Sequence, residues 1–152
     1  MKILFTRHGP TDWNKLHKLQ GRADIELNES GIQNAYDAKE ELKDTKIDCI
    51  ISSPLKRALK KAEIIAEENC KVLIIDDRLI ERDFGDYEGK TWNELIAFGV
   101  DPWQYNKDSI PNGESDDELF KRVSECLDFI KKKLNGKNVC SWRSVALHRL
   151  VF

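Results

Sequence analysis

Three short apolar runs, rich in β-branched side chains, punctuate a chain that is otherwise charged and amphipathic. Residues 2–6 (Lys-Ile-Leu-Phe-Thr), 47–51 (Ile-Asp-Cys-Ile-Ile) and 71–75 (Lys-Val-Leu-Ile-Ile) predict buried strands. Elsewhere the apolar spacing turns helical. Ile32, Ala35, Ala38 and Leu42 fit one helix face, with Asn28 or Ser30 available as N-cap. A second stripe of Leu55, Ala58, Leu59, Ala62, Ile65 and Ala66 predicts a helix opened by Pro54. The third runs from Ser115 through Leu119, Val123, Leu127, Ile130 and Leu134. Its first turn is acidic (Asp116, Asp117, Glu118) and its last is basic (Lys131, Lys132, Lys133), which complements the helix dipole. Strands alternating with helices predict an α/β layered domain around a largely parallel sheet.

Composition narrows the class. With 152 residues, 40% hydrophobic and 34% charged, the chain suits a single domain spanning residues 1–152. The 25 basic and 27 acidic side chains leave a formal net charge of -2, so no overall positive field favours nucleic acid or an anionic membrane, and any anion site is local. Only a few apolar residues follow Met1-Lys2 before charge returns, so neither a bilayer span nor a secretion signal is expected, and the expected location is the cytoplasm. Cys49, Cys70, Cys126 and Cys140 are widely spaced and include no Cys-x-x-Cys pair, which predicts free packed thiols rather than disulfides or a zinc site. Residues 101–113 carry Pro and Gly and read as a long surface loop, not a domain boundary.

In a parallel sheet, ligands gather beyond the carboxyl ends of the strands. The first strand ends in Thr6-Arg7-His8-Gly9, placing an imidazole beside a guanidinium, with a glycine that frees the next turn. That arrangement suits a nucleophile for a phosphoryl group. The second strand runs into Ser52-Ser53-Pro54-Leu55-Lys56-Arg57, where Arg57 lies within reach of a phosphate at the helix start; the same residues also read as a serine-capped helix with a solvated arginine. After the third strand comes a glycine-punctuated acidic loop, residues 79–89, with Glu81 as candidate proton donor to a leaving alkoxide, or else one more surface carboxylate paired with Arg82 or Arg78. An imidazole attacks only when neutral, and flanking guanidinium groups both oppose its protonation and attract a substrate dianion. Charge on the equatorial phosphoryl oxygens is then met by fixed donors, so this chemistry calls for no metal and no cofactor.

Taken together these motifs resemble the histidine phosphatase superfamily, also called the phosphoglycerate-mutase-like family. Arg7-His8-Gly9-Pro10-Thr11-Asp12-Trp13-Asn14 matches its opening RHG[EQ]T-x-x-N, with Pro10 where the family usually has Glu or Gln. Gln20-Gly21-Arg22-Ala23-Asp24 with Leu27 and Gly31, then residues 52–58, then Glu81 with Phe84-Gly85 and Glu88-Gly89, then Pro111-Asn112-Gly113-Glu114-Ser115 with Arg122, follow in the family's order. The resemblance implies a three-layer α/β/α fold. It implies that His8 is the phosphorylated nucleophile, Arg7 and Arg57 the phosphate clamp, Glu81 the proton donor, and Asn14, Gln20 and Gly21 further contacts around the phosphoryl or leaving group. The implied partner is a small phosphorylated metabolite.

The family also carries a second histidine, in a His-Gly context at the end of a late strand. Here Gly136-Lys137-Asn138-Val139 is similar to the lead-in, but the continuation from residue 140 to 152 holds no His-Gly, and the family's usual C-terminal elements are expected to be lacking. A one-nucleotide slip near residues 137–140 would account for this: a TCA codon for Ser141 followed by the TGG of Trp142 spells His-Gly in the shifted frame. Sequencing the coding DNA tests it, since any other Ser141 codon ends the idea. The rival readings are a naturally shortened relative and His148 as a stand-in. Loss of one such donor commonly costs on the order of a hundredfold in rate. The compact passage from residues 84–89 into Thr91-Trp92-Asn93-Glu94-Leu95 resembles the phosphatase branch, including α-ribazole phosphatases and broad phosphomonoesterases, with Trp13, Trp92, Trp103 and Tyr105 expected either around the leaving group or as core or lid packing. The alternatives are mutase-type phosphoryl transfer and an inactive phosphate-binding remnant.

Overall fold

In the computed structural model, residues 2–70, 72–100 and 110–142 are described. Four parallel strands, β1 (Ile3–Thr6), β2 (Cys49–Ser52), β3 (Leu73–Ile75) and β4 (Val139–Trp142), form one sheet in the order β1-β4-β2-β3. The late strand is thus an inner one. Ser141 pairs with Phe5 on one side and Ile51 on the other, and Trp142 pairs with Thr6, so β4 ends at the same sheet edge as β1 and β2.

Among the described residues five α-helices connect the strands: α1 (Asp12–Lys15), α2 (Glu29–Glu41), α3 (Lys56–Asn69), α4 (Trp92–Ala97) and α5 (Asp116–Lys133). Side-chain alternation along the strands splits the core into two layers. Cys49, Ile51, Val139 and Ile3 pack with Leu119, Val123, Cys126 and Ile130 of α5 on one face. Ile50, Cys140 and Leu4 pack with Ala58, Ala62 and Ile65 of α3, and Ala38 of α2, on the other. The result is the expected α/β/α sandwich with a parallel sheet. All four cysteines are buried free thiols within these layers. No helix among the described residues is long and apolar enough to cross a membrane.

Most element ends follow the local signals. Asn28 caps α2 by accepting the Gly31 N–H at 2.9 Å, and Ser115 with Glu118 forms a capping box on α5. The start of α3 departs from expectation: Pro54 does not open it. Leu55 is the N-cap without a side-chain cap, and the helix begins at Lys56. Its exposed donors are met from elsewhere. Ser53 Oγ accepts the Leu55 N–H at 3.3 Å, and Asp24, 32 positions upstream, accepts the Lys56 N–H at 2.7 Å. That long-range cap also draws the segment after Gln20 toward the helix that carries Arg57. The two short helices α1 and α4 carry no long apolar stripe and were legible only as motifs; each is held by a capping box, Thr11 with Asn14 and Thr91 with Glu94.

Candidate active site

Beyond the carboxyl end of the sheet lies a cavity of about 300 Å³. Arg7, His8, Asn14, Gln20, Gly21, Arg57 and Glu81, the residues expected to attack, clamp or protonate the phosphate ester, line it. Their convergence follows from the topology: β1 delivers Arg7 and His8, α3 delivers Arg57 one turn after β2, and the segment after β3 delivers Glu81.

His8 is oriented by its own loop. Its Nδ1 lies 2.8 Å from the Gly9 carbonyl oxygen, which can only accept, so Nδ1 carries the proton and Nε2 is left with a free lone pair. The Gly9 backbone runs close to α2, where a Cβ on residue 9 would sit 2.7 Å from the Gly31 carbonyl oxygen. Burial pushes the His8 pKa from 6.5 down to about 4; the Gly9 hydrogen bond works against this, and the charges of Arg57, Arg7 and Lys61 add to it. The imidazole is therefore neutral across the physiological range.

This shift has a consequence for stability. In the unfolded chain the ring takes up a proton as pH falls below 6.5, whereas in the folded protein it resists until about pH 4. Stability present above 6.5 is thus lost on acidification through that window, by up to about 3 kcal/mol. A His8→Gln variant is expected to lose correspondingly less between pH 7 and pH 4.5 in urea unfolding. Equal losses for the two proteins would refute a buried neutral imidazole.

Arg57 is 2% exposed and is fixed by two backbone carbonyls, Nη1 to Ala23 O and Nη2 to Gly21 O, both at 2.7 Å. It is not the solvated arginine of the alternative reading. Burial lowers its pKa, opposed by Glu81, Asp24 and Glu88. The segment it grips is tied from below by Glu88, whose Oε1 accepts the Arg22 N–H at 2.7 Å and whose Oε2 accepts the Ala23 N–H at 2.8 Å. Gly21 sits in the left-handed region at φ 55°, and a Cβ there would lie 2.0 Å from Glu88 Oε1. The sequence showed Glu88 only as part of a motif; the structure makes it the anchor of the loop that bears Gln20 and Gly21. Gln20 Oε1 in turn accepts from the Thr11 hydroxyl at 3.1 Å, while Asn14 Oδ1 accepts the Thr11 N–H at 3.0 Å.

Glu81 is half-buried, and its backbone is clamped by Arg122 of α5. The Arg122 guanidinium donates to the carbonyls of Arg78 (2.7 Å), Ile80 (2.6 Å) and Glu81 (3.3 Å), and its Nε and Nη2 pair with Glu114 at 2.5 and 2.8 Å. The Pro-Asn-Gly-Glu-Ser stretch and Arg122 therefore act on the site indirectly, by fixing the segment that presents Glu81.

Some residues were missed. His17, in the left-handed region at φ 53°, along with Lys18 and Phe84, also lines the cavity. Among the aromatic residues expected around the leaving group, Trp92 lines the cavity, but Trp13 does not: it lies against Gly89 and under the Lys18 ammonium, 5.6 Å from its ring centroid. Trp103, Tyr105 and His148 lie outside the described residues. Lys61 was also overlooked, although its place four residues after Arg57 on the buried stripe of α3 was a usable signal.

Comparison with known proteins agrees with the fold. The profile of the histidine phosphatase superfamily (branch 1) matches residues 3–150. The chain is 39% identical over 148 residues to phosphoglycerate mutase-like protein 4 of Arabidopsis thaliana, covering 91% of this chain and 64% of that one, less than two thirds of its length. It is 37% identical over 137 residues to the phosphatase PhoE of Bacillus subtilis, covering 90% of this chain and 68% of the relative. Among solved structures, phosphoserine phosphatase from Entamoeba histolytica in complex with 3-phosphoglyceric acid superposes with a TM-score of 0.80 at 32% identity, covering 97% of this chain and 75% of that one.

Proposed function

The chain belongs to the histidine phosphatase superfamily, and on that premise we propose that it hydrolyses small phosphate monoesters through a phosphohistidine on His8, without a metal. The observation that carries this reading is the neutral, Nδ1-protonated imidazole facing the same cavity as Arg7, Arg57 and Glu81.

The ester dianion binds between the two guanidinium groups. The His8 Nε2 lone pair attacks phosphorus as the ester P–O bond breaks, and Glu81 gives its proton to the departing alkoxide. Charge developing on the equatorial oxygens is met by Arg7 and by Arg57, the latter held by the Gly21 and Ala23 carbonyls before the reaction. Water then attacks the phosphohistidine, the Glu81 carboxylate takes the water proton, and the N–P bond breaks to return His8 and release inorganic phosphate. The cavity volume suits a small metabolite, and the names of the relatives point to phosphorylated hydroxy or amino acids as the first substrates to try.

The test is phosphate release from p-nitrophenyl phosphate, phosphoserine and 3-phosphoglycerate in the presence of chelator. Turnover that withstands EDTA supports the reading. Turnover that requires added metal would refute it, and phosphate binding without turnover would identify an inactive remnant instead.

A further inference from the structure

Beneath the end of β1 sits a lysine that the mechanism above does not use. Lys61 is 4% exposed, and its ammonium donates to the Arg7 carbonyl oxygen at 3.1 Å and to Asn34 Oδ1 at 2.9 Å. Both acceptors are uncharged. The same is true of Arg57 one turn earlier on α3, which is bound to the Gly21 and Ala23 carbonyls. Two cations at i and i+4 on one buried helix face, each hydrogen-bonded to neutral oxygens, oppose stability through the cost of removing charge from water. Elsewhere in the protein such a lysine is compensated. Lys39, also largely buried, has Glu67 and Glu68 each 3.0 Å from its ammonium.

Resting on the phosphatase reading, we propose that Lys61 is a positioning residue of the phosphoryl-transfer site: it pins the backbone of the Arg7–His8 segment from below and supplies positive field under the nucleophilic imidazole. The tether is direct, since the oxygen it holds belongs to the peptide group linking Arg7 to His8. The field acts with that of Arg7 from the strand end and Arg57 from α3, against Glu81 from the segment after β3; His17 and Lys18 also line the cavity. On Lys61 itself the charge of Glu41 of α2 and the Cys140 thiol of β4 act against the effect of burial. Its charge is among those that depress the His8 pKa, and burial lowers its own. A buried cation that costs stability yet holds a nucleophile both in place and unprotonated has its explanation in function rather than in folding.

The experiment is an NMR titration of the His8 ring in substrate-free protein, assigned with His8→Ala, for wild type, Lys61→Met and Lys61→Arg, alongside kcat and KM on p-nitrophenyl phosphate. Lys61→Met is expected to raise the His8 titration by roughly half a pH unit and to lower kcat by about tenfold with KM little changed. Lys61→Arg, which keeps the charge, is expected to leave the titration near its wild-type position. An unmoved titration in Lys61→Met, or an equal rise in both variants, overturns the proposal. Should Lys61→Met not fold, Lys61→Gln takes the same measurement, and failure of both to fold would make Lys61 a structural residue and overturn the proposal. Because the titration needs no turnover, a wild-type protein with no phosphatase activity would refute the functional reading and still leave the Lys61 result readable.

Discussion

Replacing His8 with alanine is expected to lower kcat by on the order of 10⁴-fold or more, with the fold intact. The magnitude follows from what the imidazole does. It forms the bond to phosphorus, so its removal takes away the covalent route itself rather than one stabilising contact, and leaves bound ester with only the arginine clamp. The Nδ1 bond to Gly9 is local, and the ring adds no charge to the folded state at neutral pH, so the variant should unfold close to wild type in urea. A direct readout accompanies the kinetics: wild-type protein incubated with labelled substrate and quenched in alkaline detergent should carry base-stable phosphate that acid then releases, and the variant none. Activity within tenfold of wild type in His8→Ala would remove the basis of the assignment.

Glu81→Gln is expected to have the next largest effect, and one that depends on the leaving group. Hydrolysis of alkyl phosphates such as phosphoserine should fall by about 10² to 10⁴ in kcat, because an alkoxide cannot depart unprotonated. With p-nitrophenyl phosphate the phenolate leaves without help, so phosphorylation of His8 should survive while hydrolysis of the phosphohistidine, which needs the carboxylate as base, should slow. The expected trace is a burst of nitrophenolate close to one equivalent, then a slow steady state. Glutamine retains an oxygen to accept the Arg82 N–H, now at 2.9 Å from Glu81 Oε1, so the segment held by Arg122 keeps its place. An equal loss on both substrates, with no burst, would assign Glu81 to binding and not to proton transfer.

Much of this site was readable as strand ends. His8 and Arg57 were found because a parallel sheet places its ligands where β1 and β2 run out, and because Arg and His there have a shared chemical reason to meet an anion. Of the two readings open for Trp13, packing holds, because ring direction depends on the Gly89 backbone and on Lys18, contacts that no local pattern encodes. Pro54 misled for a related reason: a proline is a good helix opener in isolation, but the first donors of α3 are satisfied by Ser53 and by distant Asp24, which places the boundary two residues later.

By itself, then, the order of apolar and polar positions determined the layers. The apolar runs of β1 and β2 announced strands buried on both faces, and the strand pleat then sends Ile3, Cys49, Ile51 and Val139 to one helix layer and Leu4, Ile50 and Cys140 to the other; β4 was legible only through the family resemblance. The tertiary structure alone decided how the chemistry is held. Glu88 bridging to Arg22 and Ala23 across 66 and 65 positions, Arg122 clamping the Glu81 segment, and Lys61 under Arg7 across 54 are contacts between elements. The strength of each comes from burial and distance in the folded state, and neither exists until the sheet has brought those segments together.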